Sequence, residues 1–108
     1  MPRYPHVLPV IFLAVTLATT QAQAQTACDI AGGAVRLHMA SETCKAPLNA
    51  RGKAALAAAQ ARPKVMACTA AALARIKAEL QEAVMVGGEP GISLWCDLQR
   101  QTLSGMLE

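Results

Sequence analysis

Aromatic side chains are almost missing from this chain: one Trp, one Tyr and one Phe in 108 residues. Tyr4 and Phe12 fall in a stretch that reads as a removable leader, so Trp95 is the one aromatic of the remainder. Single-stranded nucleic-acid binding by base stacking needs aromatics interleaved with cations, and this chain has none to offer. Histidine is nearly as scarce, with His38 alone beyond the leader. A catalytic thiol or a Ser-His-Asp set needs a base held by a third group. Here it would have to recruit His38 with Asp29 or Asp97, and Ser41, Ser93 and Ser104 lack nucleophile-elbow glycines. The expectation is a protein that is not an enzyme.

Close cysteine pairs are also absent, the nearest two being separated by fifteen residues. Structural zinc sites, thioredoxin-like exchange and covalent haem attachment all use C-x-x-C spacing and are set aside. His38 beside Met39, with Met66, Met85 and Met106, is a thin set for copper or haem, and such residues on helices are ordinarily surface and core. Arg51-Gly52-Lys53-Ala54 has the Gly-Lys of a phosphate loop without its first glycine or its Ser/Thr. No metal and no cofactor is expected.

Nor is there a long apolar run. The longest, Val7 to Ala18, is about a dozen residues, short of the roughly 18 to 20 that span a bilayer as a helix. Preceded by Arg3 and followed by the polar TTQAQAQ, it has the layout of a secretory signal peptide over residues 1–24. Ala22-Gln23-Ala24 is an Ala-x-Ala site, which places cleavage before Gln25. Cys28 as a lipidated first residue is the weaker alternative, because Gln25-Thr26-Ala27 lacks the usual Leu. The expectation is a periplasmic or secreted chain, residues 25–108, forming one small domain without a transmembrane segment.

What is present is mainly alanine, placed at helical spacing. Apolar residues recur from Ile30 to Met39, with Gly32 and Gly33 expected to delay the first helix until after them, and the helix ends near Cys44. Pro47 is placed at the start of a second helix through LNARGKAALAAAQA, whose only large apolar residues are Leu48 and Leu56. After Pro63, the residues Val65, Thr69, Ala72, Ile76, Leu80 and Val84 step along one face of a third helix that stops at Gly87-Gly88. Glu89-Pro90-Gly91 is turn chemistry, and Leu94, Trp95, Leu98, Leu103 and Met106 predict a fourth helix capped by Ser93, although ISLWC alone would also suit a short strand. The fold class is all-α: a small three- or four-helix up-down bundle stabilised by two disulfides.

Geometry selects the pairing. Cys28 and Cys44 would lie about 24 Å apart if one helix ran through both, far beyond the roughly 7 Å between Cα atoms that a disulfide tolerates, so they do not pair unless the double glycine folds the segment back. In an up-down-up-down bundle Cys28 and Cys68 share one end, Cys44 and Cys96 the other. The predicted bridges are therefore Cys28 with Cys68 and Cys44 with Cys96.

Charge is the remaining signal. Between Cys44 and Ala78 stand Lys45, Arg51, Lys53, Arg62, Lys64, Arg75 and Lys77 without one acid, whereas Glu79, Glu82, Glu89, Asp97 and Glu108 follow against Arg100 alone. A solvated bipolar surface explains this blandly. The functional reading is docking to an anionic macromolecule, whether an acidic protein, a cell-wall polymer or a membrane surface, through those seven cations. The expected function is that of an exported inhibitor, adaptor, immunity-type or chaperone-like binding protein. The alternative is a small apolar-ligand or lipid carrier with a cavity between helices gated by Gly87 to Gly91.

Overall fold

The computed structural model describes residues 26–108, so the leader and its cleavage site lie outside the described residues. Among the described residues four helices follow one another: α1 over residues 26–43, α2 Ala50–Gln60, α3 Pro63–Ala67 and α4 Thr69–Thr102. Among the same residues no strand forms beyond a single antiparallel bridge between Leu48 and Leu107.

Helix α1 runs straight through Gly32 and Gly33, contrary to the expected delay. Two glycines cost about 2 kcal/mol of helix propensity, but burial of Ala27 and Ala31 ahead of them and the Cys28 bridge hold the first turns in place. The helix ends as predicted. The Ala46 N–H bonds the Ser41 carbonyl at 3.0 Å, the six-to-one closure of a Schellman motif, with Lys45 at φ 53° in the left-handed position usually given to glycine.

Helix α2 starts at Ala50 and not at Pro47. Asn49 is the better start signal, since its side-chain oxygen accepts from the Gly52 N–H at 2.9 Å. Pro47 instead lies alongside the C-terminal tail, its carbonyl accepting from the Glu108 N–H at 2.8 Å. Gly52 is needed here, because a Cβ at that position would run into the Met106 carbonyl oxygen.

The third predicted helix is broken in two. Pro63 opens the five-residue α3, Cys68 interrupts it, and Thr69 starts α4. The break re-aims the apolar face. Val65 enters a cluster with Ala27, Ala31 and Ala59, whereas Ala72 and Ile76 pack with Val35, Ala40, Trp95 and Cys96.

Within α4 the chain reverses at Gly88, whose φ 61° and ψ −142° are hostile to any side chain. The stop at Gly87-Gly88 agrees with the sequence; the immediate resumption of helix departs from the predicted turn at Glu89-Pro90-Gly91. Glu89-Pro90-Gly91 is helical, with Pro90 in the first turn after the break, where its missing N–H costs nothing. Ser93 therefore caps no helix, and ISLWC is helical throughout. The two arms return antiparallel: Gly91 abuts Ala83, and Trp95 reaches Glu79.

Both disulfides join the predicted partners, Cys28 with Cys68 at a Cα separation of 5.2 Å and Cys44 with Cys96 at 5.6 Å. Two such bridges persist in an oxidising compartment outside the cytoplasm. Among the described residues no helix is long and apolar enough to cross a membrane. A third cluster, Leu37, Ala46 and Leu107, fastens the tail beneath α1.

Candidate functional site

The seven cations are all exposed, and none takes part in an ion pair among the described residues. The structure does not gather them into one patch. Lys45 follows the C-terminal end of α1, and the Arg51 guanidinium approaches Gly105 in the adjoining tail. Arg62 and Lys64 flank Pro63 near the opposite end, where α2 and α3 meet Ala27 and Ala31. Arg75 extends over Gly32 on α1, and Lys53 and Lys77 project from α2 and α4. Along α1 the two ends are about 25 Å apart, so these charges surround a helical body and make no single seat.

Where α1 meets the α4 hairpin, three side-chain hydrogen bonds stand beside the apolar contact. Arg36 Nη1 donates to Glu79 Oε2 at 2.6 Å and to the buried Gln99 Oε1 at 3.3 Å. Trp95 Nε1 donates to the same Glu79 oxygen at 3.3 Å. The Arg36 hydrogen bond holds the Glu79 carboxyl below its ordinary 4.5; burial opposes this, and the Trp95 bond and the charges of Arg36 and Arg75 assist it. Because the folded-state value is depressed, the resulting stability is present above the unfolded value and is lost as pH falls through the folded one. Glu79→Gln is thus expected to cost about 1 kcal/mol at neutral pH, discounted because the carboxylate is half exposed. The gap to the native chain should close in acid, as read from thermal unfolding repeated between neutral pH and pH ~3.

Two concavities stand out among the described residues. One, of about 190 Å³, lies between α1, α2, α3 and the start of α4, with Val35, Leu56, Ala59, Val65 and Leu73 as its apolar walls and His38, Gln60 and Thr69 as its polar ones. The expected gate, Gly87 to Gly91, does not touch it. Gly87 and Gly91 border the second, a groove of about 380 Å³ between the arms of the hairpin. His38 Nε2 stands 3.3 Å from Glu42 Oε1 on the exposed side of α1. Among the described residues no group of three or more His, Cys, Asp or Glu is placed to hold a metal ion.

Periodicity missed the hairpin's outer surface. Val84, counted in the buried stripe, is exposed, as are Met85 and Val86 at 87% and 85% and Leu94 and Leu98 at 66% and 58%. The signal was available in the triplet Val84-Met85-Val86, because three successive residues sweep about 200° of a helix and cannot all face inward. Comparison with protein-family models, curated proteins and solved structures gives no match for this chain.

Proposed function

We propose that this is an exported, non-enzymatic helical protein, periplasmic or secreted, that works by holding an anionic macromolecule against its cationic body. The reading places it with inhibitors, adaptors, immunity-type and chaperone-like factors. One observation carries it: seven exposed basic side chains with no ion-pair partner among the described residues, distributed around a body that two disulfides tie together. Unpaired surface charge of one sign creates a field that draws in an oppositely charged partner over several ångströms, with no need for a shaped seat.

A diffuse field makes a specific demand on experiment. Binding of the oxidised chain to a polyanion such as polyglutamate should weaken steeply as salt passes about 0.1 M, where the screening length is near 10 Å. The double variants Lys45→Glu with Arg51→Glu and Arg62→Glu with Lys64→Glu, altered at opposite ends, should each weaken it by a similar factor. Binding that survives high salt and both reversals rules the reading out.

The 190 Å³ cavity favours a second reading, a carrier of a small apolar ligand. A cavity of about 150 Å³ holds a benzene-sized molecule, so this one suits a small ring or the end of an acyl chain and not a whole lipid. Native mass spectrometry of protein purified without detergent, beside an Ala34→Leu variant that fills the space, tests it. A ligand lost on filling supports the carrier, and an empty native protein excludes it.

A further inference from the structure

The α4 hairpin presents a second surface whose chemistry is opposite to that of the body. From Ala78 to Gln99 the chain carries Glu79, Glu82, Glu89 and Asp97 and no Lys or Arg. Glu79 is engaged by Arg36 and Asp97 faces Arg100 at 3.5 Å, which leaves Glu82 and Glu89 as carboxylates without an ion-pair partner among the described residues. Between the arms runs the groove of about 380 Å³, bounded by Glu79, Glu82, Val86, Leu94, Trp95 and Leu98. Most monomeric proteins keep large apolar side chains singly scattered at the surface, and a contiguous group rimmed by charge marks a docking site. Here Val86, Leu94 and Leu98 are more than half exposed and line that groove.

We propose that this groove receives a cationic amphipathic helix from a protein partner. Two antiparallel helices with an apolar trough between them offer the packing surface that a third helix fills, with anchors one turn apart. The sign of the lining selects the occupant: no Lys or Arg borders the groove, and a Lys or Arg beside the partner's apolar stripe meets Glu82, Glu79 being already engaged by Arg36. An anionic membrane surface would meet that carboxylate as a like charge, and a symmetric second copy would set the acidic groove against its own copy. The seat is preorganised. Cys44–Cys96 ties the second arm to α1, Gly91 lies against Ala83, and Trp95 is hydrogen-bonded to Glu79, so little ordering is required on binding. This surface is independent of the cationic body and takes a partner segment of the opposite charge, so either reading stands if the other fails.

Trp95, the single tryptophan of the chain, lines the groove and reports on it directly. Two synthetic helices with the same leucine face, one otherwise lysine and the other otherwise glutamate, are titrated into the oxidised protein while Trp95 emission is followed. The leucine-lysine helix is expected to shift the emission saturably and the leucine-glutamate helix to leave it unchanged. Glu82→Lys should weaken the first about tenfold and admit the second. Leu94→Ser with Leu98→Ser, at exposed positions, should abolish the shift while the thermal transition stays where it was. Equal binding of both helices overturns the proposal, as does leucine-lysine binding that survives the serine variant. So does concentration-dependent dimerisation, or capture by phosphatidylglycerol vesicles, that the serine variant removes; either assigns the surface to a different occupant.

Discussion

Replacing Cys44 and Cys96 by alanine is expected to lower stability by about 4 kcal/mol, as the chain-entropy model gives for a loop of 52 residues. For a domain of this size the loss corresponds to a fall in melting temperature of about 15 to 30 °C. The core is poorly equipped to compensate. Many of its buried side chains are alanine (Ala27, Ala31, Ala40, Ala46, Ala59 and Ala72), and the largest that are fully buried are Leu37, Ile76 and Val65. Alanine lets helices approach closely but removes little apolar surface from water per residue. The Cys28–Cys68 loop, with a separation of 40, is worth nearly as much by the same model, because closure entropy grows only with the logarithm of length. The two loops interlock, since Cys44 lies within the first and Cys68 within the second. Removing both bridges therefore leaves the chain with no crosslink at all, and the losses should not simply add. Circular dichroism during urea and thermal unfolding of the two single-bridge variants and the fully reduced chain provides the measurement. A transition unmoved by loss of Cys44–Cys96 would mean that the alanine interfaces alone hold the fold.

How far this fold is legible from sequence depends on which interactions decide each element. The disulfide pairing followed from helix direction alone, because α1 is too long for Cys28 to meet Cys44 and an up-down path leaves one partner at each end. The ends of α1 and of the first α4 arm are likewise local matters, written in Pro47 shortly after Cys44 and in Gly87-Gly88. Elements decided by contacts across the chain were not legible. Gly32 and Gly33 weaken a helix in isolation, yet neighbours distant in sequence hold it. Cys68 breaks a segment of good helical periodicity because Val65 and Ala72 serve different clusters, and periodicity reports a face without saying what covers it. The same gap hid the site. Leu94 and Leu98 look like core by spacing and prove exposed. The seven cations were visible at once, but their distribution around the body is a property of the tertiary path.

Gly91→Ala is the second large effect, expected to cost about 3 kcal/mol, the upper range for overpacking a tight contact. A methyl group there would overlap the Ala83 carbonyl oxygen, which is backbone and cannot rotate away, so the arms of the hairpin must separate. The gain of roughly 1 kcal/mol in helix propensity that alanine normally brings over glycine is too small to reverse the sign. Gly87 provides the control within the same hairpin. A Cβ there meets nothing within 4 Å and its backbone is not left-handed, so Gly87→Ala should be neutral or stabilising. Thermal unfolding separates the two variants, and equal melting temperatures would show that the arms do not touch as described. A second readout follows from the position of Trp95, one helical turn beyond Gly91. If the arms part, Trp95 loses its bond to Glu79 and becomes more exposed, so native-state emission should move to longer wavelength in Gly91→Ala and stay fixed in Gly87→Ala. The same displacement widens the trough between Val86 and Leu94, so Gly91→Ala should also weaken the leucine-lysine helix without altering any charge, separating the contribution of groove shape from that of Glu82.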